Sequence, residues 1–137
     1  MADPDCIFCK IVAGELPATV IAEDERTLAF MDINPATRGH LLVIPKQHAR
    51  DLIEIGGDDL AAVMLKAQAL ATQAKQRFGA EGVNLLNSCG ARAWQTVFHF
   101  HLHVIPRYAD DPLRLPWTPT PGDAGEIVQA ANQLRGH

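Results

Sequence analysis

The stretch His99-Phe100-His101-Leu102-His103 concentrates more chemistry than any other part of this chain. Side chains of an extended strand alternate between its faces, so three imidazoles would gather on one side. Phe100, Leu102 and Val104 would take the other, where a helix can cover them. A buried imidazole without partners costs about 1–3 kcal/mol in unmet hydrogen bonds. Something polar must therefore meet the histidine face. Three readings are open. The face could be solvated. It could hold a metal through all three rings, but His99 and His103 lie about 13 Å apart at about 3.3 Å per residue. That span is strained for bonds of about 2.1 Å to one ion. Or the rings could lie along a phosphate chain, whose several oxygens suit a row of donors.

The third reading has definite requirements. One ring must be neutral, with a bare nitrogen facing phosphorus and its other nitrogen donating to a fixed acceptor. His101, flanked by imidazoles on both sides, suits the nucleophile. Its attack would give a nucleotidyl-histidine that water then cleaves, two easier steps in place of one. The flanking donors would stabilise charge on the phosphoryl oxygens and leaving group.

The surrounding pattern supplies elements to position this row. Thr19–Glu23 and Arg26–Met31 are apolar runs split by an acidic turn at Asp24, the signature of a hairpin. His40–Pro45 reads as a third strand, entered through Gly39 and stopped by its proline. Asp58–Phe78 carries Leu60, Val63, Met64, Ala67, Leu70, Ala71, Ala74 and Phe78 at helical spacing, with Asp58 as cap and Gly79 as terminator. Gly82–Ser88 and Val97–Pro106 read as two more strands. Residues 110–122 hold four prolines and read as an extended loop. Asp123 and Glu126 look like a capping box opening a C-terminal helix over 123–135, with Ile127, Ala130 and Leu134. The expectation is an α+β fold: a five-stranded antiparallel sheet with one long and one C-terminal helix, in a single domain spanning 1–137.

Composition narrows the function. At 137 residues, 47% hydrophobic and 20% charged, the chain can bury a real core. A net charge of −4 with no Lys/Arg run argues against nucleic acid or an anionic membrane as partner. Three cysteines, an odd count, and an N-terminus without a basic-then-apolar pattern point to a cytoplasmic location.

The run Gln95-Thr96-Val97-Phe98-His99-Phe100-His101-Leu102-His103-Val104-Ile105 resembles the signature of the histidine triad (HIT) family. Cys6-Ile7-Phe8-Cys9-Lys10-Ile11, Phe30-Met31-Asp32-Ile33-Asn34-Pro35 and Gly39 to His48 resemble its bacterial hydrolase-like branch. The resemblance implies a sheet extended across a homodimer. It implies a purine nucleotide conjugate, phosphoramidate or dinucleoside polyphosphate, opened at the α-phosphate without an organic cofactor. By it His101 is the nucleophile, held by the His99 carbonyl, and His103 binds phosphate and helps the leaving group. Gln95 would contact the reacting oxygen, Thr96 the phosphate and Asp32 the ribose hydroxyls, with His40 behind the row. A glycine usually precedes the glutamine, where this chain has Trp94, whose ring could narrow the pocket. Asn87 or its neighbour Ser88 would fill an asparagine position next to the substrate.

Cys6 and Cys9 supply half of a tetrahedral zinc site, which His48 and His99 could complete. Taking His99 alone from the triad would leave His101 and His103 for phosphate. Two plain thiols are the alternative; a thioredoxin-like use would need a preceding strand. Cys89 reads as a reduced thiol, Trp117 as a packing anchor or distant substrate contact, and His137 as a disordered terminal residue. Two functional classes follow: a nucleotidyl-histidine enzyme, or a nucleotide- and zinc-binding regulatory module with little turnover.

Overall fold

The computed structural model describes residues 2–136, so the reading of His137 lies outside the described residues. The chain runs α1 (Ile7–Val12), β1 (Val20–Glu23), β2 (Thr27–Met31), β3 (Leu41–Pro45), α2 (Gly57–Phe78), β4 (Gly82–Leu86), β5 (Leu102–Arg107) and α3 (Ala124–Leu134). The strands form one antiparallel sheet in the order β1-β2-β3-β5-β4.

Local chemistry accounts for most of these elements. Asp24 Oδ1 accepts from the Arg26 and Thr27 amides and from Thr27 Oγ1, which closes the β1–β2 turn. Gly39 has φ 88°, and a Cβ there would sit 2.5 Å from the Phe78 ring, so only glycine admits the chain to β3 at this point. Gly79 ends α2 in the left-handed region, and Asp123 caps α3 through the Glu126 amide at 2.9 Å.

Alternation along the strands divides the core in two. Ala29, Leu41, Val43, Phe100, Leu102 and Val104 pack beneath α2 with Val63, Ala67 and Leu70. Leu28, Phe30, Leu42 and Ile44 take the opposite face, beneath Cys6, Phe8 and Cys9 of the α1 segment. No residue of α3 is buried, and no strand or helix occurs in the proline-rich segment 110–122.

Three expectations need correction. The last strand starts at Leu102, not Val97. Its partner β3 pairs only as far as Val43↔Leu102 and ends at Pro45, which has no N–H to continue the ladder. The chain bends instead, and the Phe100 amide donates to the Ala49 carbonyl at 2.7 Å. The long helix is preceded by Gly56 without a side-chain cap, and Asp58 lies inside its first turn. The short helix α1 went unforeseen; Cys6 Sγ accepts from the Cys9 amide at 3.3 Å and caps it.

Candidate functional site

The bend before β5 divides the histidine row. His99, fully buried, turns toward α1, while His101 and His103 face a cavity of about 460 Å³. That cavity is lined by the apolar residues Ile7, Phe8, Ile11, Phe30 and Leu42 and by the polar residues Asp32, Asn34, His40, Thr96, His101 and His103. Thus an apolar slot adjoins a polar rim that carries two of the three triad rings.

Backbone groups determine where each ring holds its proton. Burial pushes the pKa values of His99 and His103 down to about 4 and lowers those of His40 and His101, so all four are neutral near pH 7. The mutual proximity of the imidazoles adds to this at His103. A carbonyl can only accept. His101 Nδ1 lies 2.8 Å from the His99 carbonyl and therefore carries the proton, which leaves Nε2 bare. His99 Nε2 lies 2.9 Å from the Pro45 carbonyl and carries its proton, which leaves Nδ1 bare. An amide can only donate. The Ala36 N–H donates to His40 Nδ1 at 2.9 Å, so His40 holds its proton on Nε2. That N–H lies 2.9 Å from His103 Nδ1, which must accept, so His103 holds its proton on Nε2. Adjacent rings thus have opposite polarity: a bare nitrogen on His101 and a donor on His103, with ring centroids 5.1 Å apart.

Cys6, Cys9, His48 and His99 bring their ligand atoms together. Cys6 Sγ lies 3.3 Å from His99 Nδ1, Cys9 Sγ lies 3.3 Å from His48 Nδ1 and 3.5 Å from His99 Nδ1, and the two Nδ1 atoms are 3.2 Å apart. A tetrahedral ion with bonds of about 2.1 Å to nitrogen and 2.3 Å to sulfur places neighbouring donors about 3.3–3.8 Å apart. With His99 Nδ1 already bare, this donor set fits such an ion.

Asp32, His40 and His103 form a second close group, with Asp32 Oδ2 3.4 Å from His40 Nε2 and 3.9 Å from His103 Nδ1. Here the donor chemistry is different. His40 Nε2 carries a proton fixed by the Ala36 amide, so it cannot ligate while that hydrogen bond stands. Asp32 Oδ1 also accepts from the Asn34 amide at 2.7 Å, so the residue both closes a turn and lines the cavity.

The remaining expected site residues sit as follows. Thr96 lines the cavity; Gln95 does not. Gln95 is buried, its Nε2 donating to the carbonyls of Arg50 and Val97 and its Oε1 accepting from the Gly90 amide. It braces the loop before the triad instead of reaching a reacting oxygen. Asn87 is also outside the cavity wall. Its Nδ2 donates to the His101 carbonyl at 2.9 Å, while its buried Oδ1 has no partner among the described residues. Asn87, one position before Ser88, is therefore the residue that touches the triad backbone. Trp94 is exposed and has φ 78°, a left-handed conformation that favours glycine, and its ring does not narrow the cavity. Trp117 is likewise exposed and away from the cavity wall. Phe8 and Asn34 were missed as wall residues. The available signals were the position of Phe8 between two candidate ligands and the turn Asp32-Ile33-Asn34-Pro35.

Comparison with known proteins adds a lineage. The HIT domain family model matches residues 13–110. An uncharacterized HIT-like protein of Methanocaldococcus jannaschii is 45% identical over 106 residues, covering 77% of this chain and 81% of that protein. The structure of a zinc-bound histidine triad family protein from Mycobacterium smegmatis is similar at 42% identity and TM-score 0.77, covering 96% of each chain. That of a histidine triad nucleotide-binding protein from Candida albicans reaches TM-score 0.85 at 31% identity, again covering 96% of each chain.

Proposed function

The chain belongs to the HIT family, and from that premise we propose that it hydrolyses or transfers at the α-phosphate of a purine nucleotide conjugate. The observation that carries this reading is the opposite polarity of the two rings that face the cavity. His101 offers a bare Nε2, and His103 offers an Nε2–H beside it.

In the proposed reaction the purine lies in the slot of Phe8, Ile11, Phe30 and Leu42, and the ribose hydroxyls reach Asp32. The His101 Nε2 lone pair forms a bond to phosphorus as the bond to the leaving group breaks. The leaving atom departs with that electron pair and takes a proton from water at the cavity mouth. His103 Nε2–H and Thr96 donate to the phosphoryl oxygens, where negative charge collects. Water then attacks the nucleotidyl-histidine: its oxygen joins phosphorus as the P–Nε2 bond breaks, the electron pair returns to His101 Nε2 to leave a neutral ring, and a proton leaves to solvent. His40 holds His103 in the donor tautomer, and Asn87 holds the His101 carbonyl.

Cys6, Cys9, His48 and His99 would hold a zinc ion as a structural clip; the M. smegmatis relative supports that choice of metal. Zinc would supply a cross-link between α1 and the triad loop, with no part in the bond changes. The C. albicans relative supports nucleotide as the ligand. A second copy of the chain is the expected partner. Edge strand β4 exposes Leu85 beside Met64 and Leu65 of α2, an apolar patch suited to pairing. Among the described residues no helix is long and apolar enough to cross a membrane, and a cytoplasmic setting suits the free thiols.

A specific observation favours the second reading, a nucleotide- and zinc-binding module with little turnover. Both Nε2 hydrogens of Gln95 and one lone pair of its Oε1 are committed to backbone, and the residue is not among those that line the cavity. A substrate panel of an adenosine phosphoramidate and a dinucleoside polyphosphate decides between them. The enzyme reading expects a trapped adduct on His101 and at least about a 10³-fold loss of turnover in His101→Ala. Full hydrolysis by His101→Ala would remove the nucleophile. Tight nucleotide binding with no turnover on any substrate would favour the module.

A further inference from the structure

We propose that the cysteine–histidine metal site and the nucleotide cavity are coupled, each ligand tightening the other, with Phe8 and the His99 carbonyl as the positioning groups. The inference rests on the nucleotide reading of the cavity given above.

Two physical links join the sites. The first runs through α1, a helix of six residues. A helix this short has no stability of its own, because nucleation costs more than so few hydrogen bonds return. Its geometry depends on what pins it. Both candidate sulfur ligands, Cys6 and Cys9, flank Phe8, and their partners His48 and His99 lie far along the chain. The same short segment supplies Ile7, Phe8 and Ile11 to the cavity wall. Phe8 meets the His101 ring edge-on, centroids 5.2 Å apart at 90°, and meets Phe30 at 5.4 Å. A metal that ties Cys6 and Cys9 to the triad loop therefore also seats the aromatic wall against the nucleophile.

The second link is His99 itself. Its ring is fixed through Nε2 to the Pro45 carbonyl and offers Nδ1 to the metal cluster. Its main-chain carbonyl, in the same residue, accepts from His101 Nδ1 at 2.8 Å. The group that keeps His101 Nε2 bare is thus carried by a metal ligand. An ordered ring orders the carbonyl, and a nucleotide that orders His101 and Phe8 returns the same constraint to the metal donors. Linkage makes the two effects equal in size.

The test uses the full-length protein, zinc and adenosine monophosphate. Calorimetry gives the nucleotide Kd for zinc-loaded and chelator-stripped protein, and competition with a chromophoric chelator gives the zinc Kd with and without saturating nucleotide. The expected result is the same factor in both, at least about fivefold. Phe8→Leu keeps all four metal donors but removes the ring edge, so the factor should shrink toward one. If stripping unfolds the protein, the rate of zinc transfer to chelator from the loaded protein replaces the first arm. Nucleotide should slow that transfer at least about fivefold in the wild type and less in Phe8→Leu. Equal nucleotide affinity in loaded and stripped folded protein, or a coupling factor unchanged in Phe8→Leu, would overturn the coupling alone. Failure of loaded protein to bind the nucleotide at all would overturn the reading of the cavity and the coupling with it.

Discussion

Two clusters built around a pair of histidines lie on one face of the sheet and differ in what the backbone does to them. In the first, Cys6, Cys9, His48 and His99 converge, and the Pro45 carbonyl takes the one imidazole proton that would block His99 as a ligand. In the second, Asp32, His40 and His103 converge as tightly, but the Ala36 amide fixes a proton on the inward nitrogen of His40. Proximity of His, Cys and Asp does not by itself define a metal site. A carbonyl behind the ring frees its inner nitrogen for a cation, and an amide behind the ring turns that nitrogen into a donor.

The comparison can be broken most directly at the first cluster. Cys6→Ser/Cys9→Ser should lose bound zinc altogether and about 3–4 kcal/mol of stability at saturating metal, read by metal analysis and urea unfolding. His40→Ala, in the second cluster, should keep one zinc per chain. Loss of zinc in His40→Ala, or its retention in the double serine variant, would reverse the assignment.

Acid should act next on the second cluster. The folded pKa of His103 is held down to about 4, mainly by burial and then by the neighbouring imidazoles, against about 6.5 in the unfolded chain. Above pH 6.5 neither state takes a proton and the full stability is present. Between 6.5 and 4 the unfolded chain binds a proton that the folded one refuses, so stability falls as pH falls. The loss reaches up to about 3 kcal/mol. Urea midpoints at pH 7.5 and 4.5 should differ more for wild type than for His103→Gln at equal metal loading. A slope unchanged in His103→Gln would show that other groups set it.

His40→Ala should lower turnover about 10–100-fold by freeing the tautomer of His103, and cost about 1–3 kcal/mol by leaving the Ala36 amide unpaired. A kcat that stays level while stability drops would reduce His40 to a packing residue. Outside both clusters, Trp94→Gly should change stability by no more than about 1 kcal/mol, since relief of the left-handed backbone offsets the greater freedom of glycine in the unfolded chain. A larger change in thermal unfolding would mean that the indole has a packing role.

The sequence made the strands legible where alternation meets a core. Phe100, Leu102 and Val104 do face α2, and the hairpin, β3 and Gly79 fall within a residue or two of where patterning puts them. It failed where a partner far along the chain takes over. Nothing between Val97 and His101 signals that Ala49 captures the Phe100 amide, so the pattern starts the strand five residues before its true beginning at Leu102. The family pattern puts the Gln95 carboxamide against a reacting oxygen, yet Arg50, Val97 and Gly90 occupy both of its ends. Proton positions were legible least of all, because they depend on the Pro45 carbonyl and the Ala36 amide, groups with no side-chain signature.

α3 has a different consequence. It is well capped by Asp123, yet it buries nothing, and Ile127, Val128 and Leu134 are more than half exposed. Eleven residues is short of the length at which a helix persists alone in water. In the isolated chain its amide protons should therefore trade with deuterium almost as fast as those of open polypeptide. Those at the centre of α2, around Val63 and Ala67, should wait for the whole domain to open.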